Sequence, residues 1–244
     1  MDWPAAAVAI ATVFLAYAVF AIAAFGTVLI AAPVLAHLMP VAKVVPLLSL
    51  LDVIASTSSL LRLRAHVSRP ELMRLLPWLA AGAVAGAWLL LVLPGRAMMI
   101  ALGAFVALYG IRGLLSSGPP KLLSQRWAPA FGLAGGVLGG MFGTGGFIYA
   151  MYLSRRLEAE AMRATQSALI ATATSIRVAI FAIAGVYAEQ ALLLLFVLLL
   201  PAMAVGLVAG GRVRLHISRV QFFRVLHVLL AASGLALVWR ALAG

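Results

Sequence analysis

Two charged side chains, Asp52 and Arg177, fall deep inside long apolar runs of this sequence. An ionisable group is costly there, which marks each as a functional candidate by default. Ser49, Asp52, Ser56 and Ser59 recur at spacings of three and four, so a helix would present them on one face. Arg177 lies about eight residues before Gly185, or roughly 12 Å along a helix, too deep for its head to reach water by extension. A guanidinium offers paired donors that match the oxygens of a small anion, and Gln166, Ser167 and Thr174 are placed to complete its shell. We therefore expect Arg177 to be the charge partner of a small anion, with Ser56 on the facing stripe. The alternative is an internal ion pair with Asp52 that only helps packing. Asp52 has its own possible chemistry: a carboxylate in a low-dielectric site can bind and release a proton and so couple anion movement to a proton gradient. A structural partnership with Arg62, or a helix cap, is the competing role.

The glycines suggest what surrounds these charges. Gly132, Gly135, Gly136, Gly139, Gly140, Gly143, Gly145 and Gly146 crowd around Met141, Phe142 and Thr144. Small residues four apart, as in Gly132/Gly136/Gly140, let helices approach closely in lipid. Gly143-Thr144-Gly145-Gly146 would unwind a helix, which is tolerable at membrane depth only where the backbone lines a cavity. The amides at the start of a returning half-helix then form an anion site, with the Thr144 hydroxyl beside them. Gly26-Thr27 is the matching break nearer the N-terminus, and two opposed breaks define the usual pocket of a carrier.

These breaks belong to a repeat. Phe25-Gly26-Thr27 returns 117 positions on as Phe142-Gly143-Thr144, while Leu76-Pro77, Gly82 and Gly86 return 124 positions on as Leu200-Pro201, Gly206 and Gly210. Tyr109-Gly110 likewise returns as Ser233-Gly234. At an intermediate offset of 118, the stripe through Asp52 lands on Ser167, Ile170, Thr174 and Arg177. Apolar runs lie near 4–39, 44–61, 75–93, 97–115, 128–153, 164–185, 191–210 and 220–241, each read as helical because none alternates with a period of two.

Charge sets their course. Of 18 basic residues, 14 cluster at Arg62/Arg64/Arg69/Arg74, Arg112/Lys121/Arg126, Arg155/Arg156/Arg163 and Arg212/Arg214/Arg219/Arg224. If every run crossed once, two clusters would face outward against the positive-inside bias. Letting 128–153 enter and return as a hairpin puts all four inside, and the repeat then requires two short helices meeting near Gly26. The expectation is an all-α integral membrane protein with inverted halves, each a broken hairpin plus three crossings. Residues 1–115 form the first half, 116–127 a linker around Ser116-Ser117-Gly118-Pro119-Pro120, and 128–244 the second half, with both termini outside.

The repeat length, and a second copy reading Gly139-Gly140-Met141-Phe142-Gly143-Thr144-Gly145-Gly146, resemble the TauE/SafE sulfite exporter family over nearly the whole chain. The first copy, Ala23-Ala24-Phe25-Gly26-Thr27-Val28, keeps one glycine where that family usually has several. The resemblance implies an exporter or importer of sulfite, sulfoacetate or other small sulfur-containing or related organic anions in a bacterial inner membrane. The partners expected are therefore a small organic or inorganic anion, the lipid bilayer and, through Asp52, protons; the chain could also pair as a homodimer.

Composition excludes other classes. With 65% hydrophobic and 10% charged residues, against about 25% charged in soluble domains, the chain belongs in lipid. Its first run lacks a basic leader and is too long for a signal peptide, so it should be retained. The net charge of +12 is spread over short loops, an orientation signal and not a nucleic-acid surface. There is no cysteine, no clustered His/carboxylate spacing for a metal, no Gly-x-Ser-x-Gly nucleophile and no nucleotide-binding loop, so neither an enzyme nor a cofactor is expected. A channel, or a subunit that only scaffolds partners, is the remaining rival.

Overall fold

Apolar runs must satisfy their backbone internally in lipid, and the chain does so with helices. The computed structural model describes residues 3–23, 25–115 and 123–213, together with 227–228, 231–232, 234–236, 238–239 and 241–242. The elements are α1 (Trp3–Ala23), α2 (Thr27–Leu35), α3 (Val41–Leu63), α4 (Arg69–Val92), α5 (Gly95–Leu115), α6 (Ala128–Phe142), α7 (Gly146–Leu153), α8 (Ala159–Ile183) and α9 (Gln190–Val213). No strand occurs among the described residues. Among the described residues, six helices, α1, α3, α4, α5, α8 and α9, are long and apolar enough to cross a membrane. The described residues from 227 to 242 are all helical and pack on α5, where the Gly103 face meets Gly234 and Val238 and the Gly110 face meets His227 and Ala231. Ser116-Ser117-Gly118-Pro119-Pro120, Lys121, Arg214, His216, Arg219, Gln221, Arg224 and Ser233 lie outside the described residues.

Both expected breaks are present, and they are unequal. Gly143 ends α6 in the left-handed region at φ 71, and Gly26 precedes α2 at φ 103, a conformation that glycine alone adopts cheaply. However, α1 runs for 21 residues where α6 has 15, so the first hairpin is one long and one short helix, not two short ones. The difference lies at the far end from the breaks: at the offset of 117 that matches Gly26 to Gly143, Ala128 at the start of α6 corresponds to position 11, inside α1.

Packing follows the glycines. Gly132, Gly136 and Gly140 on α6 lie against Leu75, Leu79 and Ala83 on α4, and a Cβ on Gly82 or Gly86 would overlap the α6 backbone at Leu133 or Val137. In the same manner, Gly206 and Gly210 on α9 lie against Phe14 and Ala18 on α1. In both pairs residue numbers rise together, so the helices run parallel. By contrast α3 and α8 run antiparallel: the Ser68 amide, just past α3, donates to Thr165 Oγ1 near the start of α8, while Asp52, midway along α3, faces Arg177 near the other end of α8.

The described members of the basic clusters gather at one end of this bundle. Glu71 is buried at the start of α4 and accepts from Arg74 Nη1 at 2.8 Å, Arg156 Nε at 2.9 Å and the Tyr152 hydroxyl at 2.9 Å. Arg156, just past α7, also donates to the Leu123 carbonyl just before α6, so this hairpin enters and leaves at the same end. Arg163 reaches Ala21 near the end of α1, beside which runs the last turn of α9 with Arg212. The opposite end carries the exposed pair Lys43–Glu189 at 2.6 Å.

Candidate functional site

Halfway along α3 the two breaks meet. Gly143 sits against Val28, and Gly146 against Phe25, so the turn after α6 touches the turn before α2. Asp52 and Arg177 lie between them, 3% and 1% exposed.

Each charge has a distinct set of partners. The Tyr17 hydroxyl donates to Asp52 Oδ1 at 2.8 Å, and the Thr27 side chain hydrogen-bonds to the same carboxylate. These partners place Asp52 in mid-helix with a neighbour from α1 and one from α2, not with Arg62 and not at a cap. Arg177 Nη1 donates to the Gly139 carbonyl in the last turn of α6. Arg177 Nη2 lies 3.5 Å from Asp52 Oδ2, close enough for charge attraction but too long for a good hydrogen bond. Neither Nε nor Nη2 has a hydrogen-bond acceptor. The edge of the guanidinium suited to side-on, two-point binding is therefore unfilled by protein.

The other expected residues divide. Gln166 is buried and donates from Nε2 to the Gly146 carbonyl at 3.2 Å, holding the second break to α8. Ser167 is buried with its hydroxyl unpartnered, and Thr174 is buried on the same helix. Ser56 is buried, but it donates to the Asp52 backbone carbonyl, as Ser49 does to Val45, so these two serines of the stripe are bonded back onto their own helix. Gly143 and Thr144 depart from the expectation of exposed donors. The Gly143 amide donates to Gly139 and the Thr144 amide to Leu138, the double closure that ends a helix at a left-handed glycine. The Thr144 hydroxyl also points to the Leu138 carbonyl at 3.3 Å. Donors toward a ligand at this break therefore come from the first turn of α7, whose leading amides at Gly145 and Gly146 have no carbonyl one turn behind them. The first turn of α2, after Gly26, is placed likewise.

Sequence reasoning missed the tyrosines. Tyr17 feeds Asp52, and Tyr149 lies buried on α7 within electrostatic reach of Arg177. A phenol in the middle of an apolar run, away from the interfacial belt where tyrosine is ordinary, was the available signal. Glu71 was missed too, so Asp52 is not the lone buried acid. No His, Asp or Glu cluster fit for a metal occurs among the described residues.

The arrangement of two broken helices around a buried, partly unfilled guanidinium can be set against known proteins. The model of the sulfite exporter TauE/SafE family matches residues 9–237. This chain belongs to the TauE/SafE family. It is also similar to a probable inner membrane transporter protein, TsaS, of Comamonas testosteroni, at 34% identity over 172 residues covering 68% of this chain and 72% of that one. No solved structure matches. As a TauE/SafE member with several membrane-crossing helices, the protein is a multi-pass inner-membrane transporter and not an enzyme.

Proposed function

We propose that this transporter carries a small oxyanion, of the sulfite, sulfoacetate or related sulfonate or carboxylate class, outward by alternating access between two inverted halves. The observation that carries the reading is Arg177: a guanidinium 1% exposed, lying against the second break where that break meets the first, with its two-point edge lacking a hydrogen-bond acceptor. A buried cation with unused donors is costly unless an anion completes it. In this reading Arg177 holds the anion, the first-turn amides of α7 at Gly145 and Gly146 and of α2 after Gly26 face its oxygens, and Ser167 and Thr174 complete the shell.

The halves are residues 1–115 and 128–244. Support comes from the packing: α3 runs antiparallel to α8, and α5 antiparallel to the helical residues from 227 onward, as corresponding elements of an inverted repeat must. With the basic end facing the cytoplasm, both termini fall outside. Asp52, tied to Tyr17 and to the first break, exchanges the coupling proton.

Liposome exchange of labelled sulfite or sulfoacetate tests the proposal, alongside thermal shift with Arg177→Ala. We expect saturable exchange by the wild type and loss of all ligand stabilisation in the variant. An arginine variant that keeps full stabilisation leaves the residue as a mere packing partner of Asp52, and an ohmic current in place of saturable exchange makes the protein a channel.

A further inference from the structure

The pocket holds one more unsatisfied donor. Tyr149, the fourth residue of α7, is 1% exposed and its hydroxyl has no hydrogen-bond partner. Its ring lies on Gly135, where any Cβ would overlap it, and its hydroxyl reaches the neighbourhood of Gly139. Gly139 is the residue whose carbonyl anchors Arg177 Nη1. One turn of α6 thus positions both the phenol and the guanidinium. A phenylalanine would fill the same space without burying a polar atom, so packing alone does not account for the hydroxyl.

We propose that Tyr149 is a specificity-determining contact that favours anions with three terminal oxygens on one centre, sulfonates and sulfite, over carboxylates with two. This deepens the oxyanion reading above and rests on it. The Nε and Nη2 edge of Arg177 takes two oxygens side-on, which a carboxylate satisfies as well as a sulfonate. A carboxylate then has no third oxygen for Tyr149, whose buried hydroxyl must go unfilled or share an oxygen the guanidinium already holds. The third oxygen of a sulfonate accepts from it. Discrimination arises because a site built to hydrogen-bond rejects the ligand that leaves its donor empty.

Methanesulfonate and acetate carry the same methyl group and differ in the head, so they are the probes. Calorimetric titration of purified full-length protein should show tighter binding of methanesulfonate by the wild type. Tyr149→Phe, with its unliganded melting temperature unchanged, should weaken methanesulfonate about tenfold while acetate stays within about twofold. Arg177→Lys, which keeps charge but loses the two-point edge, should weaken both. Equal losses for the two probes in the phenylalanine variant, or no loss, or a wild type that does not prefer methanesulfonate, overturn the role of Tyr149 while leaving the anion site standing. A wild type that binds neither probe overturns the anion site as well.

Discussion

The two helix breaks differ in what they serve. The first, before α2, brings Thr27 to Asp52, which also accepts from Tyr17 of α1. The second, after α6, gives the Gly139 carbonyl to Arg177 and sets Tyr149 beside it. One break equips the acid and the other the base. In the inverted-repeat reading the two copies divide their labour: the first break supports a carboxylate, while the glycine-rich second break yields backbone to a guanidinium. Glycine content follows this division, because only the second break must let a charged side chain lie against its backbone.

The contrast can be attacked at Gly143 and Gly26. A Cβ on Gly143 would strain a backbone at φ 71 and overlap both Arg177 Nη1 and Val28, whereas one on Gly26 would find nothing nearer than Val19 at 3.9 Å. Gly143→Ala should therefore reduce anion exchange in liposomes by tenfold or more, on the order of a misplaced binding group. Gly26→Ala should cost only backbone strain, about 1–2 kcal/mol in unfolding free energy, with exchange within about threefold of wild type. Equal damage from both would erase the distinction.

Asp52→Asn comes next in expected effect. The amide can still accept from Tyr17 and Thr27, but it cannot carry a proton. Exchange without a gradient should persist, while acceleration by an imposed pH difference should vanish. A variant that still responds to the gradient removes Asp52 from coupling.

The smallest effects sharpen the comparison at its two threonines. Thr144 only closes the end of α6, so Thr144→Val should cost about 1 kcal/mol of stability and leave transport unchanged. Thr27→Val removes a hydrogen bond to Asp52 and should displace the pH profile of transport without abolishing it. Profiles that coincide for both variants would show that the first break does not support the acid.

Much of this was legible before any coordinates. Long apolar runs reveal helices because lipid permits little else, and α3, α4, α5, α8 and α9 begin and end within a few residues of the runs at 44–61, 75–93, 97–115, 164–185 and 191–210. Asp52 and Arg177 stood out because charge is costly in such runs. What stayed hidden depended on contacts between distant residues. Glu71 read as one more loop residue between Arg69 and Arg74; only Tyr152 and Arg156, from beyond the linker, bury it. The donors of Gly143 and Thr144 looked available, yet the way a left-handed glycine closes a helix uses them up. The length of α1 was misjudged because the repeat constrains only the end at the break, and α1 starts eight residues before the position that matches Ala128.

The backbone-to-backbone seams of α4 on α6 and α1 on α9 have a mechanical consequence. Where no side chains separate two helices, there is no cushion to compress and no rotamer to switch, so each couple travels as a single rod. Movement must then be taken up at the side-chain-lined seam between α3 and α8. In the alternating-access reading the ion pair there sits at the fulcrum, where a small change in occupancy has the greatest leverage over which end of the protein is open.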